Sequence, residues 1–450
     1  MPDFWAEASS TGSRDSVPGS DIDAPKSGRL SIRLLLIVVA AAFAVKFLVF
    51  GLSVWTSMNL SLPNAENWQD FSLAYMPAAY AFRSGFLPYN DFFYPYPPLF
   101  LYVLTAFSYL SLPSWSGAIP LVAADALTVV PLYLIARKFS GERNALLASA
   151  LFIVAPTNLY YTDYLWLNPP LTTLFLMVSL YLMLEKRYDL SALTLAVSIG
   201  LKQTALLALP VLLLIIWKGD RSRAGAGRYL LITGLACLLM SLPYLFTSPG
   251  AYLASIFRVP TELWTSQLPS SYFQIGVGTG TPVSFNTLDW MTSKWQLVAS
   301  AINAPVSLGL PIFIFLVPSA LAWVYGSYYT DLLWLVLFVG YLLLLRRVWK
   351  APQIIETDAL RYMLYALLFL FTIYPSYKYY TVGVVPLLVL LVRSKKDLLG
   401  FAAFSFSLLF VPIYLSSWVL LAALVWLLRL PILKRFGPSR PEQLSGQVSG

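Results

Sequence analysis

Long apolar runs constrain this chain more than any other feature, because they recur along nearly its whole length after residue 30. Each run of roughly 15 to 25 residues can cross a hydrocarbon core of about 30 Å as a helix. Backbone polar groups find no water in lipid, so a helix, which satisfies them internally, is the default spanning structure. Runs such as LLLIVVAAAFAV lack the alternation of membrane β-strands. The sequence therefore predicts an all-α polytopic membrane protein.

The composition supports this fold class and excludes several kinds of chemistry. Hydrophobic residues make up 58% of the 450 residues and charged residues 11%, whereas about a quarter are charged in soluble domains. The chain has no histidine and one cysteine, Cys237, which excludes histidine catalysis, histidine metal sites, intrachain disulfides and cysteine clusters. Acid–base work then falls to carboxylates, lysine or tyrosine. The net charge of +9 lies in short basic segments between apolar runs, so topology explains it better than a nucleic-acid partner does.

These basic segments set the predicted orientation. Lys26, Arg29 and Arg33 flank a first span near residues 30–54 and place that flank in the cytoplasm. Further basic segments are assigned to the same side, at 137–143, 185–187, 218–228, 345–347, 393–396 and 433–435. The outer face then carries 55–98, 157–169, the turn around Lys202, 247–304 and 374–380. A single crossing at 117–138 fits after residue 98, so FLYVLTAFSYL is predicted to lie in the outer interface.

The same reasoning divides the chain into five segments. Residues 1–28 are a disordered cytoplasmic tail, and 29–246 form the main transmembrane module, with a first outer loop at 55–116. An outer loop follows at 247–304, then C-terminal transmembrane helices at 305–436 and a cytoplasmic tail at 437–450. The apolar length predicts a bundle of about 11 to 13 transmembrane helices with a helical loop along the outer face.

The first outer loop carries two candidate acidic residues in NWQDFSLAYMPAAYAFRSGFLPYNDFFYPYPP. Asp70 lies where helical spacing of apolar residues begins, so its carboxylate is predicted to cap an interfacial amphipathic helix. Gly85 is a candidate helix stop. Asp91 follows in a proline-rich turn that cannot be helical. Capping accounts for Asp70 structurally, and it is compatible with catalysis.

Other ionisable residues lie in apolar surroundings. Asp163 in YYTDYLWLN, Lys202 in GLKQTALLALP and Lys378 in YPSYKYY are placed on the outer side. Lys46 lies within the first span, where it either reaches an interface or pairs inside the bundle, and Asp125 lies within a later span. Carboxylates deprotonate hydroxyls or bind divalent cations, lysines neutralise phosphates, and aromatic faces suit sugar rings.

The order of short motifs resembles one family. An acidic residue that opens an amphipathic helix (Asp70) is followed by GFLPYND and YPP, then by an acidic outer segment at Asp163, GLKQTALLALPVLLL, SFNTLDW and YPSYKYYTVGVVPLLVLL. This order, over about residues 30–400, is similar to that of the polyprenol-phosphate-dependent membrane glycosyltransferases of the GT-C fold, many of which are mannosyltransferases. The WWDYG motif of oligosaccharyltransferases and the Asp-Glu pair of protein O-mannosyltransferases are absent.

The resemblance implies a GT-C-like catalytic module at 29–246 and a function. The enzyme would transfer a hexose from a polyprenyl or dolichyl phosphate to a lipid-linked or glycan acceptor, and mannose is the expected sugar because many members of the family transfer it. The transfer would invert the configuration at the anomeric carbon and take place on the extracytoplasmic side of the plasma membrane. Asp70 would be the general base, with Asp91 as its rival, and Asp163 would orient the acceptor or hold a metal. The resemblance fixes no cofactor, and a divalent cation (Mg or Mn) stays open. The donor phosphate would meet Lys202 and Lys378, and the substrate-binding residues would be Tyr89, Tyr96, Asn286, Trp290 and Tyr379.

Two other functions remain compatible with the same residues. A transporter or flippase of lipid-linked sugars would also place aromatic, acidic and basic groups inside a helical bundle, and Asp125 is the polar residue that favours it. A non-catalytic scaffold subunit of a glycosylation complex is the third alternative.

Overall fold

The structure is a computed structural model that describes residues 32–59, 71–92, 94, 96–110, 112–219, 222–257, 382–390, 392 and 395–410, with scattered residues between 339 and 350. Across these residues the regular structure is helical, apart from an isolated bridge between Pro88 and Phe92. The all-α fold class predicted from the apolar runs is confirmed. Most of the segment predicted at 247–345 lies outside the described residues.

Three helical stretches among the described residues are long and apolar enough to cross a membrane, at Ile32–Asn59, Ser114–Tyr164 and Arg223–Thr247. The chain is therefore an integral membrane protein. The first stretch is helix α1, Ile32–Asn59, whose 28 residues extend for about 42 Å. Lys46 lies near its middle, about 20 Å from either end.

The first outer loop is helical where predicted. A π-helical turn, Phe71–Tyr75, leads into α2, Met76–Arg83. Gly85, with φ of 94°, ends it in a Schellman motif, because Phe86 N donates to Ala81 O and Gly85 N to Phe82 O, each at 3.1 Å. After the proline-rich turn, α3 spans Pro98–Ser108. Its 11 residues extend for only about 16 Å, too little to cross a membrane alone.

The second long stretch consists of several helices joined end to end. A 3₁₀ turn, Ser114–Ala118, leads into α4, Ile119–Leu127, and α5, Val129–Ile153. Gly141, with φ of 79° and ψ of 175°, breaks α5 within the basic segment predicted as a loop at 137–143. A short turn, Pro156–Asn158, and a π-helical turn, Leu159–Tyr164, complete the stretch.

The following helices are shorter. Helix α6 spans Pro170–Leu184 and α7 Tyr188–Leu201, and a 3₁₀ turn at Gln203–Leu207 precedes α8, Ala208–Gly219. The helices are interrupted between α7 and α8 where the sequence predicted a turn around Lys202. Helix α9, Arg223–Thr247, is capped by Ser222, whose Oγ accepts from Gly225 N at 2.9 Å. Helix α10 is Pro249–Phe257, and α11, Val385–Val389, and α12, Lys395–Phe410, follow later.

Two large apolar clusters among the described residues hold these helices together, and a small third one joins Leu165 and its neighbours to Val382. One lies where α5, α6, α7 and α8 meet, and α11 and α12 pack against it. The other joins the first outer loop, α3 and α4 to Trp166, Leu201 and the tyrosines of α9 and α10. Gly200 permits a close approach of α7 to α9, because a Cβ there would lie 2.8 Å from Met240 Sδ. The second cluster positions the candidate site.

Candidate active site

Several buried aromatic side chains from the first outer loop pack together into a cluster that we call the aromatic platform. Burial of these rings is strong, since none is more than 4% exposed. Successive rings meet edge to face, with centroids 5.0 Å apart for Tyr75 and Phe100 and 5.7 Å apart for Tyr94 and Tyr96, the geometry that aromatic quadrupoles favour. Its members are Tyr75, Tyr89, Tyr94, Tyr96 and Phe100.

Tyr89 ties this platform to the later helices. Its backbone is left-handed, with φ of 68°, and its hydroxyl donates to Tyr96 O at 2.6 Å. Its ring meets the rings of Tyr244 and Tyr252 at centroid distances of 4.8 and 4.9 Å. Burial raises the pKa of Tyr89 well above 10, so its phenol is neutral and acts as a hydrogen-bond donor. The two tyrosines predicted to bind substrate, Tyr89 and Tyr96, are thus in direct contact.

Lys202 lies beside the platform. It interrupts the helices between α7 and the following 3₁₀ turn, where its backbone is extended (φ −157°, ψ 121°), and the residue is only 2% exposed. Its ammonium lies 5.6 Å from the centroid of the Tyr96 ring, a cation–π contact. The structure therefore brings together three of the residues predicted for substrate and donor binding. A buried ammonium on an aromatic surface is suited to an anionic group that approaches it.

Asp91, the predicted rival base, closes a local turn. Its Oδ2 accepts from Leu87 N at 2.6 Å, and its Oδ1 accepts from Asn90 Nδ2 at 2.7 Å. The residue is partly exposed. These hydrogen bonds give the side chain a structural role in the proline-rich turn, and its catalytic role stays a prediction.

A buried ion cluster joins three helical segments inside the bundle. The Lys46 ammonium of α1 contacts Asp125 Oδ2 of α4 and lies 3.4 Å from Asp163 Oδ2 of the second π-helical turn. Asn158 Nδ2 donates to Asp125 Oδ1 at 3.0 Å, and the ammonium lies 4.8 Å from the Phe152 ring centroid. All three ionisable side chains are at most 1% exposed. Of the two predictions for Lys46, pairing inside the bundle is the one observed.

The position of Asp163 differs from the aqueous outer face predicted for it. Residues 159–164 continue the helical stretch as a π-helical turn. Ser53 Oγ donates to Tyr164 O at 2.6 Å, which holds this turn against α1. The carboxylate faces a lysine and a second carboxylate, and the ammonium occupies the position that a cation would need. This donor set does not fit a divalent ion, and the described residues contain no group of three His, Cys, Asp or Glu suited to one.

Trp166 joins the segment that follows Asp163 to α1 and to the first outer loop. Its ring is fully buried and contacts Phe50 of α1, with centroids 5.6 Å apart, and Phe71, with centroids 5.2 Å apart. Phe71 directly follows Asp70 in the sequence. Segment 159–167 and the beginning of the first outer loop are therefore adjacent in the fold.

The remaining predicted residues lie outside the described part of the chain: Asp70, Asn286, Trp290, Lys378 and Tyr379. Sequence reasoning treated Lys46, Asp125 and Asp163 separately and missed their association. A signal was present, because each is an ionisable residue within an apolar stretch and such residues usually pair with one another. The sequence reasoning also missed Tyr244 and Tyr252, whose rings contact that of Tyr89.

Comparison with known proteins gives matches to mannosyltransferases. Residues 96–263 match the model of the ALG3 protein family. Two Drosophila melanogaster proteins, the Dolichyl-P-Man:Man5GlcNAc2-PP-dolichol alpha-1,3-mannosyltransferases l(2)not2 and Alg3, are each 26% identical over 176 residues, 38% of this chain. The matches span only 36% and 34% of those relatives. The predicted resemblance to polyprenol-phosphate-dependent mannosyltransferases is confirmed.

Solved structures give weaker similarities. An oligosaccharyltransferase of Archaeoglobus fulgidus aligns over 86% of this chain and 52% of its own, with 14% identity and a TM-score of 0.43. ArnT of Cupriavidus metallidurans bound to undecaprenyl phosphate aligns over 88% of this chain and 77% of its own, with 16% identity and a TM-score of 0.39.

Proposed function

We propose that this chain is a glycosyltransferase that transfers the hexose mannose from a dolichyl or polyprenyl phosphate to a lipid-linked or glycan acceptor. The observation that carries the proposal is the mannosyltransferase match over residues 96–263. That segment contains Lys202, whose ammonium lies on the aromatic platform, together with Tyr96. The relatives' names specify a dolichyl-phosphate mannose donor and a dolichol-linked oligosaccharide acceptor, and we assign the same chemical classes to this chain.

The proposed step is a single inverting displacement. An acceptor hydroxyl oxygen attacks the anomeric carbon of the donor sugar while the bond from that carbon to the phosphate oxygen breaks. Asp70 takes the hydroxyl proton as general base, and the bonding electrons leave on the lipid phosphate. The donor's phosphate is a weak base, so it needs charge stabilisation more than protonation. Asp70 directly precedes Phe71, which packs on Trp166 beside the platform.

Lys202 is the proposed partner of the leaving phosphate, and Lys378 is a second. Lys202 is nearly fully buried, so an anion beside it would be attracted through a medium less polarisable than water. The ring of Tyr96 lies against the ammonium, and the other platform rings, all at most 4% exposed, keep the surroundings apolar. The five residues assigned to substrate binding remain Tyr89, Tyr96, Asn286, Trp290 and Tyr379.

We assign the reaction to the extracytoplasmic face of the plasma membrane. Support for the side comes from the basic segments at 137–143 and 218–228, which the positive-inside rule assigns to the cytoplasm. The platform and Lys202 belong to segments that alternate with them. The ion cluster, by contrast, belongs to the bundle interior, where we expect it to fix α1 against α4.

The alternative function, transport of lipid-linked sugars, would need polar groups along a path through the bundle. Lys46, Asp125 and Asp163 are such groups, but they contact one another and are fully buried. These groups therefore do not line an open path, and the matches to mannosyltransferases also favour group transfer over transport.

A reconstituted assay separates these functions. Purified protein in liposomes is given radiolabelled dolichyl-phosphate mannose and a Man5GlcNAc2-PP-dolichol acceptor, and the labelled product is quantified. We expect Asp70→Asn to lower the initial rate by at least about a hundredfold, and the matched control Glu66→Gln to retain it. Equal transfer by Asp70→Asn and wild type would refute the base assignment. Donor movement across the bilayer without transfer would establish the transporter, and neither transfer nor movement would favour a scaffold.

A further inference from the structure

A second candidate site lies along α8, away from the platform. It is an apolar cleft of about 650 Å³ between α8, the first turns of α9 and the helical residues near 345–349, and we call it the basic cleft. Its lining residues on α8 recur at helical spacing from Pro210 to Trp217, which makes the cleft about 10 Å long on that helix. The lining consists of Pro210, Leu213, Leu214, Trp217, Ala226, Gly227, Leu230, Leu345, Arg346 and Trp349.

Positive charge is concentrated at one end of this cleft. The rings of Trp217 and Trp349 meet edge to face with centroids 4.5 Å apart. The Lys218 ammonium lies 5.9 Å from the centroid of each ring, and the Arg223 guanidinium lies 5.3 Å from that of Trp217. Arg346 belongs to the lining itself. Lys202, by contrast, precedes the opposite end of α8.

An occupant of such a cleft must combine an apolar chain with an anionic head. The leucine and proline walls are suited to an acyl chain, while three cations beside two tryptophans are suited to a phosphate at the membrane interface. Tryptophan with lysine and arginine is also the combination that marks the headgroup level of a bilayer. The charges favour an anionic headgroup over a zwitterionic one, whose ammonium would face these cations.

We propose that the basic cleft binds an anionic phospholipid of the leaflet that contacts residues 218–228. One acyl chain lies along α8, and the phosphate is held between Lys218, Arg223 and Arg346. The binding is noncovalent and independent of the glycosyl transfer proposed above. The lipid would fix the junction between α8 and α9 to Leu345, Arg346 and Trp349.

Native mass spectrometry of the purified full chain with an equimolar mixture of phosphatidylglycerol and phosphatidylcholine tests this proposal. We expect the wild type to retain phosphatidylglycerol preferentially. The triple variant K218Q/R223Q/R346Q should lower that preference at least about fivefold, since each basic residue near anionic lipid contributes measurably. Arg143→Gln, a basic residue of the segment at 137–143, is the matched control and should leave the preference unchanged.

A second variant tests the part of the cleft that would hold the acyl chain of the lipid, and we expect this variant to fold. A Cβ at Gly227 would meet no atom within 4 Å, and leucine favours a helix more than glycine does. Gly227→Leu should therefore fill the cleft and lower retention of both lipids without lowering the temperature of thermal unfolding.

Four outcomes would overturn the proposal. Equal retention of the two lipids by wild type would remove the anion preference, and an unchanged triple variant would place the lipid elsewhere. Dolichyl phosphate that displaces phosphatidylglycerol in equimolar competition would make the carrier lipid the occupant. A dimer that Gly227→Leu abolishes would instead identify a second copy of this chain as the occupant.

Discussion

Replacing Lys46 by methionine should destabilise the protein more than any replacement of the carboxylates beside it. The ammonium contacts Asp125 and lies 3.4 Å from Asp163 Oδ2, and all three side chains are buried. Without the lysine, two carboxylates are left next to each other with no compensating charge. Breaking a buried ion pair in this way costs about 3 to 5 kcal/mol.

The carboxylates should respond differently, because either one alone balances the lysine. Asp163→Asn leaves the contact of Lys46 with Asp125, and Asp125 also keeps its hydrogen bond from Asn158 Nδ2 at 3.0 Å. It removes the like charge and loses one hydrogen bond, the 3.4 Å contact with Lys46, so we expect a change within about 1 kcal/mol of wild type. Asp125→Asn loses the closer contact with Lys46. Its free energy of unfolding should drop by about 1 to 3 kcal/mol, between the losses for Asp163→Asn and Lys46→Met.

Unfolding in mixed detergent micelles, followed by tryptophan fluorescence, measures these free energies directly. A double-mutant cycle with Lys46→Met, Asp125→Asn and the pair isolates their coupling, which should be about 0.5 to 3 kcal/mol. An unchanged free energy of unfolding for Lys46→Met would refute the stabilising role of the cluster. Equal losses for Lys46→Met and Asp163→Asn would refute the charge-balance reasoning.

Three further predictions concern the packing, the donor site and the platform. Gly200→Leu should lower the free energy of unfolding by about 1 to 3 kcal/mol, because a Cβ there meets Met240 Sδ at 2.8 Å, whereas Gly234→Leu, with open space around its Cβ, should not. Lys202→Met should abolish the preference for dolichyl phosphate over dolichol in a binding assay, an effect of about tenfold or more, and equal preference in both proteins would contradict the assignment. Burial raises the pKa of Tyr89 in the folded protein. The contribution of the buried phenol to stability should therefore be complete below about pH 10 and decline above it, where the same phenol ionises in the unfolded chain. Denaturation at pH 8 and pH 11 measures this decline, which should be smaller in Tyr89→Phe.

Much of the fold follows from local rules and was therefore predictable. The first span, predicted near residues 30–54, is helical over Ile32–Asn59 because its apolar run has no breaker. Gly85 ends α2 as predicted, since only glycine adopts its positive φ without strain. The break at Gly141 within a predicted basic loop follows the same rule.

The pairings between distant segments did not follow from local rules. Lys46 and Asp163 are separated by 117 positions, and their contact depends on how α1 crosses the later helices. The segment at 157–169 is aromatic and lies between basic segments assigned to the cytoplasm, which predicted a place on the outer face. The hydrogen bond from Ser53 Oγ to Tyr164 O and the burial of Trp166 instead hold it in the bundle. Composition identifies such residues as polar, and only packing decides which of them become buried.

Transfer of labelled mannose by the reconstituted wild-type chain is the most direct test of the proposed function. Liposomes that contain dolichyl-phosphate mannose and a dolichol-linked oligosaccharide should yield an acceptor enlarged by one mannose, with stoichiometric release of dolichyl phosphate. An unchanged acceptor, with the donor intact or merely redistributed between the leaflets, would contradict the glycosyltransferase assignment.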